Sequence, residues 1–318
     1  MDLLLVVPCY FEEEILPHSI QEFESYFLKL KSRGLISENS QICLVDDGSK
    51  DKTWEIIEKA SANSLFCGLK LSRNCGHQNA VLAGLLSNVN QYDCFITIDA
   101  DLQDDLNAIE NMLLKRKEGF EVVYGVRNNR ETDSFFKRHS AQLFYKLLNS
   151  FGVDAVYNHA DYRLMDNKII QALEGYKETN LFIRGIIPTI GYKSTIVEYK
   201  RAERLAGETK YTLKKMLSFA WDGITSFSHY PLKLIMNLGI VLFILSLSIG
   251  GWSFYQYLNG NIVPGWTSTF LTIMGFGGIQ MISIGVLGEY IGKIYLEVKN
   301  RPRFIVEKTI NNLNASNE

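Results

Sequence analysis

The amino-terminal part of the chain alternates short apolar runs with segments in which apolar residues recur at helical spacing. The apolar runs predict buried strands at residues 3–7, 41–45, 69–71, 94–98 and 121–124. The segments between them predict helices at residues 15–30, 53–62, 79–86 and 106–117. This alternation predicts a doubly wound, mainly parallel α/β sheet with helices on both faces.

A different pattern begins near the end of the chain, where residues 234–288 contain no Asp, Glu, Lys or Arg. At a rise of about 1.5 Å per residue, the apolar segments 232–258 and 269–288 are long enough to cross a hydrocarbon core of about 30 Å. They predict two transmembrane helices, and the alternative is a buried helical hairpin inside a soluble fold. Glycines in the second segment predict close helix contacts, either within the hairpin or between protomers of a homo-oligomer.

Basic residues flank the outer ends of this hairpin, whereas the connector between the two segments carries no charge. The flanking residues are Lys210, Lys214, Lys215, Lys293, Lys299, Arg301 and Arg303. By the positive-inside bias, the large domain and both termini face the cytoplasm, with a multi-pass anchor in the cell inner membrane.

Four parts of the chain follow from these patterns. Residues 1–211 form the α/β domain, residues 231–292 form the hairpin, and residues 293–318 form a cytoplasmic tail. Residues 212–230 include an amphipathic helix, whose pattern fits a helix in the membrane interface and a helix packed on the α/β domain equally well.

Composition narrows the class of protein. The net charge of −2 over 318 residues gives no general attraction to nucleic acid. All five cysteines fall in the first third without CxxC spacing, which predicts buried, reduced thiols in a reducing compartment. The amino-terminal apolar run is short and breaks at Pro8, which indicates a strand and not a signal peptide.

Polar clusters follow the first four predicted strands: PCYFEEE, VDDGSKDKT, RNCGHQNA and DADLQ. In doubly wound sheets, ligands bind at the carboxyl ends of the strands, so these clusters predict one site. The sequence has neither GxGxxG nor GxxxxGK[ST], which argues against a dinucleotide-binding or P-loop enzyme.

The cluster that is most specific for a chemical role is DADLQ, in which Asp99 and Asp101 flank one alanine. Two carboxylates at a strand end can share one hard cation with diphosphate oxygens, and Gln103 lies close by in the chain. Mg²⁺ and Mn²⁺ prefer such oxygen ligands and normally keep phosphate and water in their shell. A DxD alone would be read as a surface turn, and the other three clusters decide against that interpretation.

Taken in their order, the four clusters resemble the family 2 glycosyltransferases with a GT-A fold. The resemblance continues through GVR at 125–127, DYRL at 161–164, RAERLAGETKY at 201–211, the paired apolar segments and KNRPRF at 299–304. It covers nearly the whole chain and is specific to polyprenyl-phosphate glycosyltransferases, the group that contains the bactoprenol glucosyltransferases and dolichol-phosphate mannose synthases.

The resemblance implies a role for each cluster. The residues around the base and ribose of the donor are Pro8, Tyr10, Glu12, Asp46 and Asp47. Metal and diphosphate are held by Asp99, Asp101 and Gln103. For Asp46 and Asp47, the alternative is helix capping and turn formation.

The resemblance also implies that Asp161 is the candidate base, with binding of sugar hydroxyls or positioning of Arg163 as alternatives. Since a phosphate monoester is largely anionic near neutral pH, it hardly needs a strong base.

The site must hold two anionic groups together, the diphosphate leaving group and the phosphate acceptor. Guanidinium groups bind phosphate with two parallel hydrogen bonds. The candidate basic residues are Arg127, Arg184, Arg201, Arg204 and Lys210, each with an ion-paired surface role as its alternative. His77 is expected to be a hydrogen-bonded structural residue.

The expected reaction is an inverting hexosyl transfer to undecaprenyl or another polyprenyl phosphate at the cytoplasmic membrane face. It would depend on Mg²⁺ or Mn²⁺ and supply lipid-linked sugar for modification of cell-surface glycans such as O-antigen. The resemblance favours UDP-glucose as donor, with UDP-galactose, UDP-N-acetylhexosamine, UDP-aminoarabinose or GDP-mannose as alternatives. A noncatalytic membrane scaffold that binds nucleotide-sugar is the other alternative. A processive synthase is disfavoured because QxxRW is absent.

Overall fold

The structure is a computed structural model that describes residues 1–127, 159–178, 183–201, 230–259 and 265–311. The chain divides into two compact units. The first comprises Met1–Lys146, Asp154–Tyr211 and Arg301–Glu318, and the second comprises Leu147–Val153 and Thr212–Asn300.

The first unit is built on a sheet with helices packed against it. Its described strands are β1 (Leu3–Cys9), β2 (Gln41–Asp46), β3 (Phe66–Leu71), β4 (Cys94–Thr97), β5 (Val122–Arg127), β6 (His159–Asp166), β7 (Ser194–Tyr199) and β8 (Val306–Ile310). Its described helices are α1 (Leu16–Ser32), α2 (Thr53–Ala60), α3 (His77–Leu86), α4 (Ala108–Lys117), α5 (Asn167–Glu174) and α6 (Ile183–Thr189).

The strands lie in the order β7-β5-β6-β4-β1-β2-β3-β8. Parallel pairing joins β4 to β1, β1 to β2, β2 to β3 and β5 to β7, as the alternation of strands and helices predicts. However, β6 pairs antiparallel with both β4 and β5, and β8 pairs antiparallel with β3. The predicted mainly parallel sheet is therefore corrected to a mixed, GT-A-like α/β sheet, because a local apolar run does not specify the direction of a strand's partner.

The direction of β6 determines what meets at one edge of the sheet. Thr97, the last residue of β4, pairs with Arg163 of β6. Since the strands run in opposite directions, the first residues of β6 lie beside the segment that follows β4. This pairing brings the DYRL segment next to the DADLQ segment, although about sixty residues separate them in the chain.

The close packing of α3 on β1 and β2 fixes a second segment at this edge. A Cβ atom at Gly84 would lie 2.5 Å from Val6 Cγ1 and 2.9 Å from Val45 Cγ2, so no larger residue fits without displacement. Val6 and Val45 are themselves buried in the core. Helix α3, whose first residue is His77, is thereby packed closely against the sheet.

Strand β8 extends the sheet beyond β3, in a segment that the sequence assigns to the tail. Ion pairs connect it to its neighbours, with Lys70 Nζ 3.4 Å from Glu307 Oε2 and Lys308 Nζ 3.6 Å from Glu58 Oε1. The five cysteines carry free thiols, as predicted, and all except Cys75 are buried.

The second unit contains α7 (Tyr230–Leu258) and α8 (Trp266–Val298), which contact each other. These helices lie where the sequence predicts two membrane spans. Among the residues that the structure describes, no helix has the combination of length and apolar character needed to span a membrane. The predicted transmembrane helices are thus not confirmed, and the predicted amphipathic helix within residues 212–230 lies outside the described residues except at Tyr230.

Candidate active site

Asp99 and Asp101 lie on the turn that follows β4. Asp101 Oδ1 accepts a hydrogen bond from the backbone N–H of Gln103 at 3.2 Å, and Leu102 between them has a φ of 54°. About a third of the Asp99 side chain, 34%, is exposed. Burial raises the pKa of Asp99, and the charges of Asp104, Asp161 and Asp101 raise it further, while His77 opposes the shift. Negative charge is therefore concentrated at this turn.

This concentration of carboxylates fits a divalent cation that also binds phosphate. Within the described ranges, no group of three or more His, Cys, Asp and Glu side chains is arranged to hold a metal by itself. Asp99 and Asp101 provide two hard oxygen donors, and Gln103 is only 6% exposed beside them. Mg²⁺ and Mn²⁺ commonly take one or two carboxylates and complete their shell with substrate phosphate and water. The donor set matches that pattern.

His77, the first residue of α3, lies between two carboxylates. Its Nε2 atom is 3.7 Å from Asp99 Oδ1 and 3.5 Å from Asp161 Oδ2. Burial works to lower the pKa of His77, but the hydrogen bond to Asp161 and the charges of Asp99 and Asp161 outweigh it and raise the pKa. A hydrogen-bonded structural role is the expectation from the sequence, and the carboxylate nearest to His77 Nε2, that of Asp161, belongs to the candidate site.

Asp47 holds the loop that leads into His77. Its Oδ1 accepts from the backbone N–H of Cys75 at 2.7 Å, and its Oδ2 accepts from that of Gly76 at 2.9 Å. Gly76 has a φ of 91°, a conformation that favours glycine. Asp47 thus fixes a loop that lies far along the chain, which is neither capping nor formation of its own turn, and its contact with the nucleotide stays a prediction.

Asp161, at the start of β6, is the centre of an ion-pair cluster. Arg184 donates from Nε to its Oδ1 at 2.9 Å and from Nη2 to its Oδ2 at 2.7 Å, and Arg163 donates to Oδ1 as well. Burial acts to raise the pKa of Asp161, but hydrogen bonds from His77 and Arg184 and the charges of both arginines hold it well below the ordinary carboxyl value. The carboxylate is thus a stable anion and a weak proton acceptor.

Burial holds one partner of Asp161, and a backbone hydrogen bond holds the helix that carries the other. Arg163 is 2% exposed, so Asp161 neutralises a charge that is buried in the sheet. Gln78, next to His77, accepts a hydrogen bond at its Oε1 from the backbone N–H of Ile183 at 3.0 Å. Ile183 begins the helix that carries Arg184. The RNCGHQ segment therefore supports both the carboxylate and its guanidinium partner.

Arg127 belongs to a neighbouring network that sequence reasoning identified only in part. Its Nε donates to the Tyr199 hydroxyl at 3.2 Å, and that hydroxyl donates to Asp104 Oδ1 at 2.6 Å. Asp104 is 3% exposed. The position of Asp104 directly after DADLQ was the only signal in the sequence, and Tyr199 had none, because its partner lies far away in the chain.

The predicted nucleotide residues gather near the ends of β1 and β2. Tyr10 and Phe11 are 42% and 45% exposed, and their ring centroids lie 4.5 Å apart in an edge-to-face arrangement. Phe11 has a φ of 55°, and its N–H donates to Ser49 Oγ at 3.1 Å. The N–H of Glu12 donates to Thr53 Oγ1 at 3.0 Å. The first loop is thereby attached to the VDDGSKDKT segment, and both aromatic residues are exposed.

Pro8 and Asp46 lie deeper than these rings. Pro8 is buried within β1, in register with Val45 of β2. Asp46 is fully buried, and its Oδ1 accepts from the Ser49 N–H at 3.0 Å. In the described part of the chain, its Oδ2 has no hydrogen-bond partner. Burial raises the pKa of Asp46, while the hydrogen bonds from Ser49 work against the shift.

The structure therefore brings part of the predicted set together. Asp99, Asp101, Asp161 and Arg184 lie at one edge of the sheet, and Arg127 lies in the adjoining network. Arg201, beyond the end of β7, lines a cleft of about 620 Å³ together with Gln103 and Asp104. Arg204 and Lys210 lie outside the described residues.

Comparison with known proteins decides the family. The profile of Glycosyl transferase family 2 matches residues 4–174, and that of the GtrB C-terminal hairpin matches residues 230–294. The chain belongs to glycosyl transferase family 2. It is a glycosyltransferase, as the sequence analysis predicted.

The relatives of this glycosyltransferase extend over nearly its whole length. An uncharacterized glycosyltransferase of Bacillus subtilis, YkoT, is 51% identical and covers 96% of this chain and 91% of its own. A prophage bactoprenol glucosyl transferase homolog of Escherichia coli is 39% identical, with coverage of 97% and 99%. The bactoprenol glucosyl transferase of Shigella phage SfII is 38% identical, with coverage of 97% and 98%.

Solved structures are more distant. Mannosyl-3-phosphoglycerate synthase from Rubrobacter xylanophilus has 16% identity and a TM-score of 0.48, and the match covers 85% of this chain and 80% of that one. A likeness at this level says nothing about substrates.

The ion-pair cluster generates a prediction about stability. Asp161→Asn leaves Arg163 without its buried counter-charge and should reduce the free energy of unfolding by about 3–5 kcal/mol near neutral pH. Because the folded-state pKa of Asp161 is lowered, its contribution is complete above the ordinary carboxyl pKa of about 3.9 and is lost as the pH falls through the lowered value.

Denaturant unfolding of both proteins across pH measures this difference. The gap between wild type and Asp161→Asn should be widest near neutral pH and narrow in acid below about pH 4. Glu38→Gln is the control, because that side chain is 87% exposed and should change little at any pH. A gap that stays constant as the pH falls would mean that the ion pair is not its source.

Proposed function

We propose that this glycosyltransferase transfers a hexose, glucose from UDP-glucose, to a polyprenyl phosphate such as undecaprenyl phosphate. The observation that carries the proposal is the meeting of the Asp99–Asp101 turn with the Asp161–Arg184 pair through His77 at one edge of the sheet. Carboxylates suited to a metal-diphosphate complex thus lie beside a cation suited to a phosphate acceptor. Relatives named bactoprenol glucosyl transferase, 38–39% identical over almost the full length, support the choice of acceptor and sugar.

The donor nucleotide binds at the ends of β1 and β2 in this proposal. The exposed rings of Tyr10 and Phe11 offer an apolar surface for the base. Glu12 and the Asp46–Asp47 pair accept hydrogen bonds from the base and ribose, in addition to the backbone contacts that they already make. Pro8 shapes the end of β1 below them.

The diphosphate binds at the turn after β4, where Asp99, Asp101 and Gln103 would hold Mg²⁺ or Mn²⁺. When bound, the cation neutralises negative charge on the departing diphosphate. Arg201 lies in the adjoining cleft. With Arg204 and Lys210, it provides further positive charge for the same group. Arg127 acts from the next network, through Tyr199 and Asp104.

The transfer is a single displacement. An acceptor phosphate oxygen attacks the anomeric carbon while the bond from that carbon to the diphosphate oxygen breaks, and the electron pair leaves with the nucleotide. The configuration inverts, so an α-linked donor gives a β-linked lipid-phosphate sugar. Because the acceptor is already an anion, no strong base is needed. Asp161 contributes to the step by orienting Arg184 toward the acceptor phosphate, a role that its low pKa suits better than proton removal.

The acceptor lipid places the enzyme at the cytoplasmic face of a membrane, anchored through α7 and α8. Residues 234–288 carry no charge. Several large apolar side chains on both helices are exposed, among them Val241 at 61%, Met281 at 73% and Ile282 at 68%. Apolar surface of this extent is typical of helices that contact lipid or a partner. The product is a lipid-linked sugar for modification of surface glycans.

A donor screen tests the reaction. Purified full-length protein with undecaprenyl phosphate and Mg²⁺ should release UDP fastest from UDP-glucose and form a glucose-bearing lipid. The panel includes UDP-galactose, UDP-N-acetylglucosamine, UDP-aminoarabinose and GDP-mannose. Preference for another donor would change the sugar and keep the reaction class. If UDP binds with Mg²⁺ but no donor gives a lipid-linked product, the protein is a nucleotide-sugar-binding scaffold and the proposal is wrong.

Metal dependence is the second expectation. Excess EDTA should abolish transfer, and added Mg²⁺ or Mn²⁺ should restore it. Asp101→Asn should lower kcat/KM by about 10²-fold or more, the scale for losing one preorganised electrostatic group. Asp93→Asn is the control, since Asp93 precedes the same strand at its opposite end. Full activity in excess EDTA would exclude the proposed metal site.

Topology is the third expectation. An epitope tag inserted after Asn259 should be accessible only from outside the cell, and a tag after Glu318 only from the cytoplasm. Immunolabelling of intact and permeabilised cells distinguishes the two sides, with the untagged chain as control. Labelling of both tags from the same side would rule out a hairpin that crosses the membrane.

A further inference from the structure

Three residues, Asp47, His77 and Gln78, connect the RNCGHQ segment to one cluster. Asp47 fixes the backbone of Cys75 and Gly76, Gln78 holds the first residue of the helix that carries Arg184, and His77 reaches the carboxylates between them. Nothing in these contacts requires a histidine for the helix itself, since the first position of a helix accepts many residues. The imidazole therefore serves the groups that it faces.

His77 connects the two halves of the candidate site. Its Nε2 atom lies 3.5 Å from Asp161 Oδ2, on the side of Arg184, and 3.7 Å from Asp99 Oδ1, on the side of the predicted metal. The two carboxylates would repel each other without a donor between them. With 44% of its side chain exposed, His77 does not act as a core-packing residue.

We propose that His77 is a positioning residue for the transfer step. Its Nε2–H fixes Asp161, and through Asp161 the guanidinium of Arg184, at a set distance from Asp99. The inference rests on the proposed function and adds a residue to it: the donor half and the acceptor half of the site are held in register by one imidazole. A misplacement of about 1 Å between reacting groups can cost on the order of 10²-fold in rate.

Two substitutions of nearly equal length separate the hydrogen bond from the size of the side chain. His77→Gln keeps an N–H donor close to the position of Nε2, whereas His77→Met removes it. We expect His77→Met to lower kcat by about 10- to 100-fold and His77→Gln to stay within about 5-fold of wild type. Donor binding, measured by calorimetry with UDP-glucose and Mn²⁺ in the absence of acceptor, should change by less than about 3-fold in both.

The same substitutions in an Asp161→Asn background test whether His77 affects the transfer rate through Asp161. If His77 acts through Asp161, His77→Met should lower kcat by less than about 3-fold further in Asp161→Asn, because coupled residues are not additive. Denaturant unfolding of each variant is measured alongside, since a loss of rate is interpretable only in folded protein. The kcat values of His77→Gln and His77→Met are compared at the same fraction of folded protein.

The outcomes distinguish this inference from the proposed function. A folded His77→Gln no faster than His77→Met, or a full additive loss in Asp161→Asn, would overturn the role of His77 while leaving the transferase intact. If wild type transfers no sugar, the proposed function fails. In that case the ¹⁵N NMR signal of His77 Nε2, assigned by its disappearance in His77→Gln, tests the contacts of His77 by themselves. The signal should shift in both Asp99→Asn and Asp161→Asn. If it shifts in neither variant, His77 does not contact these carboxylates.

Discussion

The ion pair between Asp161 and Arg184 is the interaction on which the candidate site depends. A buried charge is stable only when it is paired and hydrogen-bonded, and here one carboxylate serves the buried Arg163, the partly exposed Arg184 and His77. These partners come from β6, α6 and α3, which are far apart in the chain. One carboxylate thus joins three elements of the first unit, and its strength as an acceptor of hydrogen bonds makes it weak as a base.

The sheet supplies the edge at which this cluster forms. Strands β1 to β4 run in the same direction, so the loops that follow them lie along one edge. Polar side chains of one loop accept hydrogen bonds from the backbone of another. Ser49 and Thr53 hold the first loop in this way, and Asp47 holds the third. Conformations that are otherwise costly, such as the positive φ of Phe11 and of Leu102, occur in this network of loops. Loops fixed in this way need less ordering when a ligand binds.

Sequence reasoning predicted the features that depend on local pattern. Apolar runs located β1 to β4, and polar clusters at their ends located Asp99, Asp101 and the loops around them. It did not predict that β6 runs antiparallel, that residues 306–310 form β8, or that Tyr199 connects Arg127 to Asp104. Each of these depends on a partner far away in the chain, which no local period encodes. A hydrogen-bonded role for His77 was expected, but its contact with Asp161 follows only from the direction of β6.

Strand β8 changes what the sheet offers to other molecules. The backbone of β3 would otherwise end the sheet with unpaired N–H and C=O groups, which are a template for pairing with a second chain. The segment VEKTI covers that edge, and its Glu307 and Lys308 pair with Lys70 and Glu58 on the neighbouring elements. The new outer edge is five residues long and carries charge at its centre. Short, charged edges resist edge-to-edge association, so β8 protects this side of the sheet against aggregation.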